Sequence, residues 1–333
     1  MMRLLSVITA GFVLLFLASC TFSHLTTVQS DDPTAPDAAE CGSCHQDQYR
    51  EWMESAHARA YTSAPYKIQT DDYQAEECLV CHIPGQVLGG VGEVRNSNRS
   101  EGINCISCHL YDNSMQGPHE SGALFSPHSV SRNLQLDSRE AASARFCGEC
   151  HLESYRQWDE QYGGKGKDSP SCLQCHARPV SRRHTRGSNF FTDILVSFEP
   201  VHEVRSHALI LSDPEAVESR LQLNLAEGST DEMTFRLKNS LPHDLPTGEY
   251  GDKDLFVTVF WQRADGTVTF RETVMLPAVI PPGEEFEFSV SHGGSSGITA
   301  VTVQLFRRDG QSGEERVIAS FSPFPVSFQG VNP

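Results

Sequence analysis

The feature that most constrains this chain is a five-residue pattern, Cys-x-x-Cys-His, which occurs five times between residues 41 and 176. The copies are CGSCH from Cys41, CLVCH from Cys78, CISCH from Cys105, CGECH from Cys147 and CLQCH from Cys172. Cysteine pairs at this gap would alone suit zinc, a redox dithiol or disulfides. None of those needs a histidine after the second cysteine. Histidine fills 14 of 333 positions, so five such neighbours by chance have a probability on the order of 1 in 10 million.

Covalent attachment of haem c explains every position of the pattern. Two thiols meet the two vinyl groups on one edge of the macrocycle, and the adjacent histidine lies under the iron as its proximal ligand. The thioether set is Cys41 and Cys44, Cys78 and Cys81, Cys105 and Cys108, Cys147 and Cys150, Cys172 and Cys175. The proximal set is His45, His82, His109, His151 and His176. Five haems within about 170 residues bury one another, so residues 41–208 are expected as an α/irregular domain of short helices and loops. The stretch QDQYREWMESAHARAY, from Gln46, can form a helix with Tyr49, Trp52 and Ala56 on one stripe. If continuous, it separates His45 from His57 by about 18 Å, so His57 would serve a different iron.

Outside the motifs, the candidate distal ligands are His57, His119, His128, His184 and His243. His119 and His128 lie in loops beside Gly-Pro and Ser-Pro turns, and His184 follows the fifth motif. His202 and His207, in VHEVRSHAL, sit near a domain boundary as lesser candidates, and His292 in SHGGSSG reads as a turn residue.

The run CGSCHQDQYREWMESAHARA, followed by EGINCISCH, CGECHLESYRQW and CLQCH, resembles bacterial multihaem cytochromes c. The nearest type is the tetrahaem cytochrome that accepts electrons from hydroxylamine oxidoreductase. The similarity covers roughly residues 41–190. It implies a compact array with mostly bis-histidine irons and supports His57 as a distal ligand. Five motifs and an added C-terminal region depart from that type.

From about Leu221 the pattern becomes period two: EMTFRLKN, EFEFSV and TAVTVQLF alternate apolar and polar residues, and ADGT and RDGQ mark tight turns. About seven short strands are expected, forming an all-β antiparallel sandwich over 209–333. The element HDLPTG within it resembles one found in C-terminal domains of other multihaem cytochromes, which makes His243 a ligand candidate or a plain loop histidine.

Residues 1–20 read as an export signal: Arg3, an apolar core too short to span a bilayer, then LASC. That ending resembles a lipoprotein lipobox with Cys20 as the acylated residue. Residues 21–40 would then be a flexible tether. The net charge of −17 argues against nucleic acid as a partner. The expected function is electron transfer between redox partner proteins outside the cytoplasm, periplasmic or on the outer membrane. The alternatives are a reductase or oxidase of a small nitrogen or sulfur compound, and a subunit of an extracellular filament or conduit assembled through the β domain. Related reductases often replace the motif histidine of the catalytic haem by lysine, and all five motifs here carry histidine.

Overall fold

A computed structural model describes the chain from Ala35 to Val326, apart from residue 91 and the segments 121–127, 164, 166–168, 188–189, 210–216, 218, 229–231, 248–252, 292–296 and 311–312. Cys20, the export signal, most of the tether and His292 lie outside the described residues. Two compact units result. One comprises the chain to Cys150 with Lys167–Ile210, and the other His151–Gly166 with Leu211–Pro333.

The first unit is built of short helices: α1 (Ala38–Gly42), α2 (Gln46–Glu54), α3 (Ala64–Gln69), α4 (Leu79–His82), α5 (Cys105–His109), α6 (Ala142–Gly148), α8 (Cys172–His176) and α9 (Phe190–Val196). The motifs occupy helix ends. His82, His109 and His176 close α4, α5 and α8, while His45 caps the start of α2. Where a motif is helical, cysteines three apart share one face, so both sulfurs are presented to one side. The α5 turn is held by a capping box: Asn104 Oδ1 accepts from the Ser107 N–H, and Ser107 Oγ accepts from the Asn104 N–H, both at 3.3 Å. Between the helices run β1 (Leu110–Tyr111), β2 (Ser114–Gly117), β3 (Ser131–Arg132) and the antiparallel pair β4 (Pro179–Arg182) and β5 (His202–Arg205). Buried apolar side chains are sparse here: Ala35, Ile106 and Leu110 form a small cluster.

The helix after the first motif ends sooner than its apolar stripe suggests. It stops at Glu54, and Ser55 is extended, with its hydroxyl donating to the Trp52 carbonyl at 2.6 Å and accepting from the Ala58 N–H at 3.3 Å. Ser55 thereby terminates the ladder. The continuous helix supposed between His45 and His57 does not exist, and the axial separation computed from it falls away.

The second unit contains α7 (Leu152–Tyr162) and seven strands among the described residues. Strands β6 (Leu221–Gly228), β7 (Glu232–Asn239) and β10 (Glu285–Ser291) form one antiparallel sheet in the order β10-β7-β6. Strands β8 (Lys253–Arg263), β9 (Val268–Met275), β11 (Ile298–Asp309) and β12 (Glu315–Pro325) form another, in the order β12-β11-β8-β9. Alternation buries Met233, Phe235 and Leu237 of β7 in one cluster with Leu255, Val257, Val259 and Trp261 of β8. Phe235 stacks on Phe288 of its own sheet at 5.6 Å and meets the edge of Phe324 of the other sheet at 5.2 Å. The turn joining β8 to β9 holds Gly266 at φ +81°, a conformation that glycine adopts without strain.

Candidate haem centres

The motif thiols draw together. Cys41 is hydrogen-bonded to Cys105, Cys81 to Cys150 and Cys147 to Cys172. Their contact raises the Cys105 thiol and lowers that of Cys41. Cys147 stands to Cys172 in the same relation. Desolvation pushes the Cys108 thiol up to about 11, and Cys108 lies near enough to Cys147 and Cys150 to raise both. All ten described cysteines are free of disulfides, the state that thioether formation requires.

The histidines are oriented by backbone. His45 Nδ1 donates to the His184 carbonyl at 2.8 Å, His109 Nδ1 to the Gln116 carbonyl at 2.8 Å, and His82 Nδ1 to the Ala60 carbonyl. A ring whose Nδ1 carries and donates the proton leaves the Nε2 lone pair for a metal. Desolvation lowers the His82 and His109 pKa, so both rings are neutral at pH 7.

Two of these rings face another histidine. His45 stands opposite His128 with ring centroids 6.1 Å apart and planes at 51°. His109 stands opposite His207, also at 6.1 Å, with planes at 23°. With imidazole nitrogens about 2 Å from a metal on either side, the two ring centroids come about 6 Å apart. Both pairs have that spacing. Burial carries His207 down to about 4, helped by His109 and Arg182, and lowers His128. The His207 backbone N–H is tied to Glu51 Oε2 at 2.9 Å, and Glu51 is gripped by Arg182 through contacts of 2.7 and 2.8 Å. Glu51 belongs to α2, which begins at His45, and Arg182 to β4, so one ion pair joins elements from both ends of this unit.

The other sequence candidates lie elsewhere. His119 stacks on His202 at 6.3 Å, and His184 lies 4.9 Å from His202. None of these three is a motif histidine. His57 sits in the turn after α2, where its carbonyl accepts from the Ile103 N–H at 3.0 Å. His243 lies in the second unit. Its Nδ1 donates to the Asp244 carbonyl at 3.0 Å, and Asp244 exchanges two hydrogen bonds of 2.8 Å with Gln157 of α7. His82 is stacked on the buried Tyr66 ring at 4.0 Å. The sequence offered no strong signal for His207. It lies just beyond a short strand, where its backbone N–H is bound by Glu51 and its Nδ1 by the Arg205 carbonyl.

Comparison with known proteins accords with this chemistry. The model of the cytochrome c554 and c-prime family matches residues 40–110. Cytochrome c-554 of Nitrosomonas europaea is 29% identical over 155 residues, which cover 41% of this chain and 66% of that protein, just under two thirds of its length. The crystal structure of a penta-haem cytochrome c552 from Thermochromatium tepidum superposes with a TM-score of 0.53 at 16% identity, covering 91% of this chain and all of that one. The chain is similar to multihaem cytochromes c. Apart from His151, the five motifs lie in the first unit, and its paired histidines are donors of the right kind for haem iron. Among the described residues no three His, Cys, Asp or Glu side chains converge as a metal cage; axial pairs are what a porphyrin-held iron needs.

Proposed function

We propose that this chain is an exported, lipid-anchored pentahaem electron carrier working between redox partner proteins outside the cytoplasm. The observation that carries the reading is the facing of two motif histidines, His45 and His109, by His128 and His207 at bis-axial spacing. Haem c supplies one-electron iron chemistry when bound, and two imidazoles on an iron leave no position for substrate. The chain's own part is to orient the rings through Nδ1–carbonyl bonds that leave Nε2 for the iron. The thiol contacts support a connected array in which the first motif adjoins the third, the third the fourth, and the fourth both the second and the fifth. His57, His119, His184 and His243 remain ligand proposals for the other motifs, and the seven strands are proposed to close as a sandwich.

Haem stoichiometry and coordination test this reading. Five covalent haems per chain by pyridine haemochrome, with mostly low-spin ferric iron, are expected. Fewer than five haems in properly matured protein, or steady turnover of nitrite or hydroxylamine at a high-spin iron, would overturn it. The anchor rests on LASC at Leu17–Cys20. Cys20→Ala should move the protein from membranes to the soluble fraction with its haem spectrum intact, and unchanged membrane association would refute acylation.

A further inference from the structure

Arg95, between the second and third motifs, is wholly buried at 0% exposure. All its guanidinium nitrogens donate. Nε bonds the Ser97 carbonyl at 2.9 Å, Nη1 the Pro84 carbonyl at 3.4 Å and Ser107 Oγ at 3.0 Å, and Nη2 the Asn98 and Gly102 carbonyls at 3.1 and 2.7 Å. Every one of these acceptors is neutral. Buried charges are ordinarily paired, because removing an ion from water is costly. Arginine cannot shed its proton to escape that cost. The carboxylate acting most strongly on it is that of Glu101. Glu101 spends its oxygens elsewhere, accepting from the Ala38 N–H at 2.9 Å and from Asn104 Nδ2 at 2.8 Å. Arg95 is therefore a fixed cation solvated by backbone dipoles.

Its position gives that charge a target. Ser107 stands between Cys105 and Cys108, and Pro84 follows His82 by two residues. We propose that Arg95 sets the reduction potential of the third-motif haem, its buried positive charge favouring the reduced iron and raising that midpoint. Attraction between a buried cation and an added electron is strong at low dielectric and barely screened by salt. Glu101 opposes it, but Glu101 is partly exposed and so more heavily screened by water. A mere staple between two motifs would need hydrogen-bond donors and no net charge, which separates the two roles.

The inference rests on the haem reading, whose failure would show first as a missing haemochrome in wild type. Given haems, the experiment is a spectroelectrochemical titration of the holoprotein at low and high salt. Arg95→Gln, Arg95→Lys and Glu101→Gln are compared with wild type. The third-motif haem is identified by the electron paramagnetic resonance signal lost in His207→Ala. Arg95→Gln is expected to lower that haem's midpoint more than any other, independently of salt. Arg95→Lys should keep the midpoint near wild type, although both Arg95 variants melt at lower temperature. Glu101→Gln should shift the same midpoint upward. Unchanged midpoints in Arg95→Gln, or equal shifts in Arg95→Gln and Arg95→Lys, would reduce Arg95 to a staple. If Arg95→Gln fails to mature, Glu101→Gln decides alone, and no upward shift there would overturn the proposal.

Discussion

On the proposed axial pairing, replacing His207 by alanine isolates one coordination bond. The ring faces His109 at 6.1 Å, while the backbone N–H that Glu51 holds is untouched by the substitution. The clamp of Glu51 on Arg182 and on the backbone after β5 should therefore survive, and only the imidazole is lost. With five motifs, one iron in five loses its second axial ligand. About one fifth of the low-spin ferric signal should become high-spin, with haem content unchanged. The lost component has a defined character. The His109–His207 planes lie at 23° and the His45–His128 planes at 51°, so the signal removed is the more rhombic of the two. His128→Ala should remove the other, and the double variant should convert about two fifths, since separate irons respond additively. His207→Met should keep the iron six-coordinate but raise one midpoint, because a thioether favours reduced iron. The assay is electron paramagnetic resonance of the oxidised proteins at equal haem concentration. A low-spin spectrum in His207→Ala identical to wild type would refute the axial pairing.

Two further perturbations follow from the packing. Gly102 sits at φ +59°, and a Cβ there would lie 2.5 Å from the His57 carbonyl oxygen. Gly102→Ala should cost about 1–3 kcal/mol in urea unfolding; a neutral outcome would mean that the turn is slack. The buried Asp137 carboxyl is held by Arg139, with help from Arg132, at about 2 instead of the ordinary 3.8. A depressed acid stabilises the fold above its unfolded pKa, and that contribution drains away as pH falls from about 4 to 2. Its two arginines are exposed, so screening by water leaves only part of that contribution. Arg139→Ala should therefore raise the acid-unfolding midpoint seen by far-ultraviolet circular dichroism and leave neutral-pH haem spectra alone. An unshifted midpoint would show that the pair contributes nothing.

What the sequence determined by itself was local chemistry. A haem attachment motif lies within five contiguous residues, so reading it needs no knowledge of the fold. The strands of the second unit were legible for a related reason. Alternation in EMTFRLKN places Met233, Phe235 and Leu237 on one face wherever the strand lies. Tertiary structure decided everything that depends on residues distant in the chain. The apolar stripe after His45 favoured a longer helix, yet the Ser55 hydroxyl ends it, and the Gly102 backbone packs against the turn that follows. His207 resembled any histidine near a boundary until Glu51, 156 positions away, fastened it opposite His109. Arg95 carries no mark in the sequence, because its five neutral acceptors are assembled only when the segments around Pro84, Gly102 and Ser107 close over it. Covalent attachment is specified by neighbours along the chain, whereas axial pairing and buried charge are specified by neighbours in space.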